Sequence, residues 1–236
     1  MEGKNKTTAI VLAAGQGKRM HSDVCKQYLL LHERPLLYYS LKTFQESFID
    51  EIILVVGQNE ESYCRREIVE KFHITKVKKI VEGGRERYHS VANGLREAEG
   101  EGYIFIHDGA RPFLTEDILK RAYESVQKYN ACVVGMPVKD TIKIADEKGF
   151  AQTTPNRKLI WQVQTPQVFE MKLAKNAYEE LLIKEEELKV QGIQITDDAM
   201  VVETLLHHPV KLVEGSYENI KITTPEDLKV ADSFFK

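Results

Sequence analysis

Cysteine is scarce in this sequence and poorly spaced: Cys25, Cys64 and Cys132 are odd in number and no two stand as CxxC. That excludes a disulfide framework and a cysteine-rich zinc site, and leaves buried or incidental thiols. Long apolar runs are missing as well. A membrane-spanning helix needs about 20 consecutive apolar residues, whereas the first apolar stretch, Thr8 to Ala14, is too short even for the core of a signal peptide. A cytoplasmic protein with no membrane partner is the expectation. Charge of one sign is not in excess, since 33 Lys and Arg face 36 Asp and Glu for a formal net charge of -3. With the two signs interspersed there is no general attraction to nucleic acid, and any basic cluster is a local site. Repeats, low-complexity segments and linkers are absent too, so the 236 residues read as a single domain.

What the sequence does contain, up to about residue 135, is a recurrence of short β-branched runs, each followed by a longer amphipathic stretch. This is the pattern of βαβ units. Strands are predicted at Thr8 to Leu12, Glu51 to Val56, Val77 to Val81, Tyr103 to Ile106 and Ala131 to Gly135. Helices are predicted around Leu36 to Gln45, Glu60 to Phe72, Tyr88 to Ala98 and Thr115 to Tyr129. Runs apolar on both sides, such as Ile52-Ile53-Leu54-Val55-Val56, suit a sheet covered on both faces. The fold class is therefore α/β: a Rossmann-like, mostly parallel sheet with helices on both faces.

Beyond Gly135 the alternation breaks. Pro137 to Lys143 and Lys158 to Gln164 read as extended, with the polar, turn-rich Ala145 to Asn156 between them, which predicts a β-arm projecting from the sheet at about residues 137–162. A helix over Met171 to Lys189, a strand over Val210 to Glu214 and a last helix follow. The last helix opens on Thr224-Pro225-Glu226-Asp227, a capping Thr, a first-turn Pro and two acids.

The chemistry begins where the first strand runs into Ala13-Ala14-Gly15-Gln16-Gly17-Lys18-Arg19-Met20, with Lys26-Gln27-Tyr28 a few residues on. Small residues let backbone N–H groups approach a polyphosphate, and Arg19 and Lys26 add positive charge, so this loop reads as a phosphate cradle. It is neither a Walker A loop nor the GxGxxG dinucleotide fingerprint.

The same loop resembles that of the nucleotidyltransferases that open on a strand and AAGxGxRM. Within them, the chain resembles the 2-C-methyl-D-erythritol 4-phosphate cytidylyltransferases almost end to end. The carriers are Ala13 to Met20, Lys26-Gln27-Tyr28, Gly83 to Arg87 with Ser90 to Leu95, His107 to Pro112, Pro137 to Lys143, Gln164 to Gln167, Thr196 to Ala199 and Asn219 to Leu228. The resemblance implies transfer of CMP from CTP to a polyol phosphate with release of pyrophosphate, aided by Mg2+. A phosphate with a second pKa of about 6 is largely dianionic at neutral pH, so no general base is required. Neutralisation and in-line positioning are what such a protein supplies.

Residue by residue, the resemblance makes Arg19, Lys26 and Lys221 the catalytic cations, with Ala13, Ala14, Gly15 and Gly17 around nucleotide and phosphate. It makes Gly83, Gly84, Arg85 and Ser90 the reader of cytosine, with Arg85 acting through its backbone. Asp108, at the end of a strand where open α/β sheets bind ligands, serves the ribose, the metal or the substrate hydroxyls. Arg111, Thr141, Arg157, Thr165, Thr196 and Lys221 map onto substrate contacts, and the arm implies a homodimer in which Arg157 of one protomer completes the partner's site. His107 reads as structural, and the Asp197-Asp198 pair as acids opening a helix.

Two alternatives stand beside this reading: a ribitol 5-phosphate cytidylyltransferase, and a nucleotide-binding module without turnover. Retention of Arg19, Lys26 and Lys221 speaks against the second. One departure from the family pattern is Cys25, where members usually carry Pro before the loop Lys. Cations beside it predict a lowered thiol pKa and the most reactive of the three thiols.

Overall fold

The computed structural model describes residues 5–15, 17, 20 and 25–235. In chain order the elements are β1 (Lys6–Ala13), a ribbon of β2 (Leu30–Leu31) and β3 (Arg34–Pro35), α1 (Leu36–Glu46), β4 (Glu51–Val56), and α2 (Glu61–Cys64), which continues as a π-helical stretch over Arg65–Glu70. β5 (Val77–Glu82), α3 (Arg87–Glu97), β6 (Gly102–Asp108), α4 (Glu116–Tyr129) and β7 (Ala131–Pro137) follow. The chain then forms a second ribbon of β8 (Ile144–Ala145) and β9 (Ala151–Thr153), and closes with β10 (Trp161–Glu170), α5 (Met171–Val190), α6 (Asp198–Leu206), β11 (Lys211–Glu214) and α7 (Pro225–Asp232).

The central sheet has the order β11-β7-β10-β6-β1-β4-β5. Its pairs are parallel except those of β10, which runs antiparallel between β6 and β7. Period-two alternation divides each inner strand between two cores. Ala9, Val11, Ile52, Leu54 and Val56 pack with α1, α2 and α4 on one face, while Ile10, Ile53 and Val55 pack with α3, α5 and α6 on the other. A third cluster, Leu31, Leu36, Ile222 and Ala231, docks α7 on the ribbon that follows Lys26. Thr224 and Asp227 form the capping box of α7, with Pro225 in its first turn.

Most of this matches the sequence pattern, but β10 does not. Residues 158–164 were expected as the returning limb of the arm, yet from Trp161 onward they belong to the central sheet, and the projecting ribbon spans the residues between Pro137 and Trp161. The reason is local: Pro166 and the polar run Gln162 to Gln167 disguise a strand, and a register shift between Val163 and Gln167 accommodates them. Among the described residues, no helix is long and apolar enough to cross a membrane.

Candidate active site

The site lies where the topology opens. From central β1 the chain builds outward through β4 and β5, then returns to the other side of β1 as β6, so the carboxyl ends of these strands flank a crevice at a switch point. A cleft of about 860 Å³ occupies it. Register places Leu12 opposite Asp108 and Val56 opposite Glu82, which brings the first loop, the Gly83-Gly84 turn and the end of β6 together.

On one wall, Ala14, Gly15, Gly17 and Lys26 line the cleft. Gly17 has a φ of +62°, and its carbonyl accepts the N–H of Met20 at 2.8 Å, a left-handed turn that favours glycine. Ala13 instead points into the core at 3% exposure. Arg19 lies outside the described residues. The Lys26–Tyr28 turn is tied down by Glu60, which accepts the Tyr28 hydroxyl at 2.7 Å and the Cys25 thiol at 3.4 Å. Cys25 was expected to have a lowered pKa. Burial, then its hydrogen bond to Glu60, pushes the thiol up instead, because its polar neighbour is a carboxylate. Cys64 and Cys132 are fully buried, and burial raises them to about 11 and about 12.

The second wall is the turn from β5 into α3. Gly83 is packed so closely that a Cβ there would lie 2.4 Å from Cβ of Ala14 and 2.8 Å from Oγ of Ser90. The N–H of Gly84 donates to Ser90 Oγ at 3.0 Å, and that hydroxyl donates to the carbonyl of Glu86 at 3.3 Å. Glu86 and His89 close a capping box, and His89 Nε2 lies 2.9 Å from Glu185 of α5. Arg85 also lines the cleft, with its guanidinium 3.8 Å from Glu185 and its side chain 74% exposed.

The floor carries the charge. Asp108 is 8% exposed; its Oδ2 lies 2.7 Å from Lys221 and its Oδ1 3.2 Å from Nε of Arg87. Burial alone would raise its carboxyl, but Arg87, Lys221 and Arg111 outweigh burial and hold it well below the usual carboxylate range. Arg87 continues to Asp198, which is fully buried at the start of α6. Its Nη1 and Nη2 donate to the two oxygens of Asp198 at 2.7 and 2.8 Å, and the Tyr178 hydroxyl donates to the same carboxylate. The neighbouring Asp197 caps α6 by accepting the N–H of Met200 at 2.9 Å, as acids opening a helix do.

Behind the floor, the Thr165 hydroxyl accepts the N–H of Asp108 at 3.1 Å and donates to Nδ1 of His107 at 2.9 Å, while His107 Nε2 donates to the carbonyl of Arg111 at 3.3 Å. Burial lowers the His107 pKa to about 4, so this imidazole is a neutral structural link. Arg111 donates to the carbonyl of Asn219 at 2.8 Å, and its Nε is buried without a partner.

The structure thus gathers Ala14, Gly15, Gly17, Gly84, Arg85, Ser90, Lys26, Asp108 and Lys221 on one cleft. It does not bring Thr165, Arg111, Thr141, Arg157 or Thr196 to the lining in this chain. Thr141 and Arg157 sit exposed on the arm, Arg157 donating to the carbonyl of Lys139 at 3.0 Å, and Thr196 is exposed ahead of α6. Sequence reasoning assigned no role to Arg87, and its partner Asp198 was read only as a helix opener. No spacing signal links them, since they are 111 residues apart.

Among the described residues no three His, Cys, Asp or Glu side chains cluster as an all-protein cage. Magnesium is commonly held by one or two carboxylates together with substrate phosphates; Asp108 is the carboxylate on the cleft floor, and its two oxygens already meet cations, Oδ2 at Lys221 and Oδ1 at Arg87.

The chain is similar to known proteins over nearly its whole length. Residues 7–236 match the family described as 2-C-methyl-D-erythritol 4-phosphate cytidylyltransferase. A protein of that name from Lachnospira eligens is 50% identical over 230 residues, covering 97% of this chain and 99% of its own. Another, from Lachnoclostridium phytofermentans, is 48% identical over 231 residues, covering 98% of this chain and 97% of its own. The crystal structure of 4-diphosphocytidyl-2C-methyl-D-erythritol synthase from Anaerococcus prevotii superposes with a TM-score of 0.83 at 33% identity, covering 98% of this chain and 96% of that one. The cytidylyltransferase of Thermus thermophilus gives 0.76 at 28% identity, covering 97% and 98%.

Proposed function

As a member of the 2-C-methyl-D-erythritol 4-phosphate cytidylyltransferase family, this chain transfers CMP from CTP to 2-C-methyl-D-erythritol 4-phosphate, and we propose that the cleft between the first loop, the Gly83-Gly84 turn and Asp108 carries the reaction. The observation that carries this reading is the convergence of Lys26, Lys221 and the small-residue loop on the Gly84–Ser90 turn at the carboxyl edge of the sheet.

In that reading CTP enters with its base against Gly84 and Ser90 and its phosphates along Ala14, Gly15 and Gly17. A phosphate oxygen of the acceptor attacks the α-phosphorus; the new P–O bond forms as the bond to the β-phosphate oxygen breaks, and its electron pair leaves with pyrophosphate. Lys26 neutralises charge on the nucleotide phosphates, and Lys221 receives the acceptor phosphate. The resemblance gives Arg19 the same duty as Lys26. The neutral His107 donates to a carbonyl and takes no proton from the substrate. Mg2+, which neutralises anionic oxygens when bound, would be held by the CTP phosphates, with Asp108 beside it once Lys221 has turned to the acceptor phosphate.

The arm is assigned to dimerisation. Phe150 and Leu159 are 70% and 76% exposed on it, with Ile144 at 50%, an apolar surface that a second copy would cover. Such docking would bring Thr141 and Arg157 of one copy to the acceptor end of the other's cleft. Soluble, anionic substrates suit a cytoplasmic setting.

The test is pyrophosphate release from CTP and Mg2+ with methylerythritol 4-phosphate or ribitol 5-phosphate as acceptor. The expected result is a large preference in kcat/KM for the former. A preference for the ribitol ester would move the acceptor assignment, and silence with both would leave a nucleotide-binding module.

A further inference from the structure

We propose that Arg87 is a positioning residue for the transfer, one that holds Asp108 in place when Lys221 engages a phosphate; the inference rests on the cleft being the transfer site. The two carboxylate oxygens of Asp108 have different partners. Oδ2 meets Lys221 at 2.7 Å, and Oδ1 meets Nε of Arg87 at 3.2 Å. These partners differ in freedom. The Lys221 side chain is 35% exposed and ends in a single ammonium, so it can turn to an incoming anion. Arg87 cannot follow, because its other two nitrogens are locked at 2.7 and 2.8 Å onto Asp198, whose side chain is fully buried and also takes the Tyr178 hydroxyl.

The guanidinium therefore has two faces of work. Its fork is fixed to Asp198 of α6, which Tyr178 of α5 also holds, and its Nε reaches the strand end that carries Asp108. An Arg is needed for this, since only a planar group with separated N–H donors reaches a bidentate partner and a second carboxylate together. When Lys221 transfers its charge to a phosphate, Arg87 keeps Asp108 oriented and compensated. Without it, the buried carboxylate would compete with the phosphate for Lys221, and the reacting groups would lose alignment. Misplacement by about 1 Å costs about 100-fold in rate.

The experiment compares wild type with Arg87→Lys, Asp198→Asn and the double variant Arg87→Met/Asp198→Asn in steady-state pyrophosphate release, with thermal unfolding of each. The double variant removes the buried charge together with the fork, so an unfolded Arg87→Lys does not decide the matter. The expected result is a fall of about 100-fold in kcat for Arg87→Lys and for the double variant, with CTP KM within about threefold of wild type and Asp198→Asn intermediate. Folded variants with kcat within about threefold of wild type would overturn the proposal, as would a loss confined to KM for both substrates. A wild type silent with methylerythritol 4-phosphate would overturn the site reading beneath it, whereas an active wild type matched by Arg87→Lys overturns the positioning role alone.

Discussion

Lys221 and Asp108 face one another at 2.7 Å across the floor of the cleft, the ammonium on the segment leading into α7 and the carboxylate at the end of β6. The pair neutralises itself until an anion arrives. Lys221→Gln removes the cation but leaves Arg87 on Asp108, so the fold keeps its compensation. The expected outcome is a kcat/KM for methylerythritol 4-phosphate lower by about 100-fold, with the unfolding midpoint little changed. A loss of stability without a loss of turnover would make Lys221 a structural partner of Asp108.

Gly83 has no room for a side chain, since an added Cβ would lie 2.4 Å from Cβ of Ala14, which belongs to the opposite wall of the cleft. Gly83→Ala therefore pushes the base pocket and the phosphate loop apart. Overpacking of this kind costs about 1–3 kcal/mol, and a rise of about tenfold in CTP KM should accompany it. Urea unfolding and CTP titration of the same preparation check both effects, and an unchanged KM would show that the turn does not border the nucleotide.

How much of this was legible in sequence follows from how local each signal is. β4 is readable from Ile52 to Val56 because five apolar residues in a row leave no other element. The cap of α7 is readable because Thr224, Pro225 and Asp227 are adjacent. β10 was legible only in part: Lys158 to Gln164 read as extended, but the pairing with β6 and β7 is made by neighbours distant in sequence, and Gln164, Pro166 and Gln167 hide how far the strand runs. The small-residue loop after β1 and the Gly-Gly turn, which meet on one cleft, announce themselves by composition. The Arg87–Asp198 fork does not, since nothing near either residue reveals a partner 111 positions away. Cys25 failed for a similar reason: the adjacent cation in the sequence is visible, but Glu60, which sets the thiol's environment, comes from another segment.

Cys25 has φ −56° and ψ 135°, angles that a proline ring already favours. Cys25→Pro exchanges the Cys25–Glu60 contact for a less flexible unfolded chain. The Tyr28–Glu60 bond at 2.7 Å remains to hold the turn. Stabilisation of about 0.4–1 kcal/mol is expected, or a rise of about 1–4 °C in Tm, with kcat unaltered. A fall in Tm would mean that the thiol–carboxylate contact outweighs the entropy gained.

The arm gives a prediction about assembly. Phe150 and Leu159 are too exposed, at 70% and 76%, to contribute to the fold of the isolated chain. Phe150→Ser with Leu159→Ser should leave the unfolding midpoint of the monomer almost unaltered and shift the protein toward monomer in light scattering. Because Thr141 and Arg157 ride on the same arm, turnover should fall with the dimer fraction and recover at high protein concentration. A variant that stays dimeric would place the interface elsewhere.

His107 makes stability depend on pH in a definite direction. Burial lowers its pKa from 6.5 to about 4, and Thr165 and the carbonyl of Arg111 hold the neutral ring in one tautomer. Below pH 6.5 the unfolded chain binds a proton that the folded chain refuses, so this contribution is fully present above 6.5 and is lost as pH falls toward 4. The whole effect is about 3 kcal/mol, from a shift of about two and a half pKa steps at roughly 1.4 kcal/mol each. His107→Gln keeps a donor and an acceptor but does not titrate, so its stability should decline less between pH 7 and pH 4.5, by about 2 kcal/mol relative to wild type. Urea unfolding at several pH values measures the difference, and parallel declines for the two proteins would show that the acid sensitivity arises from other groups.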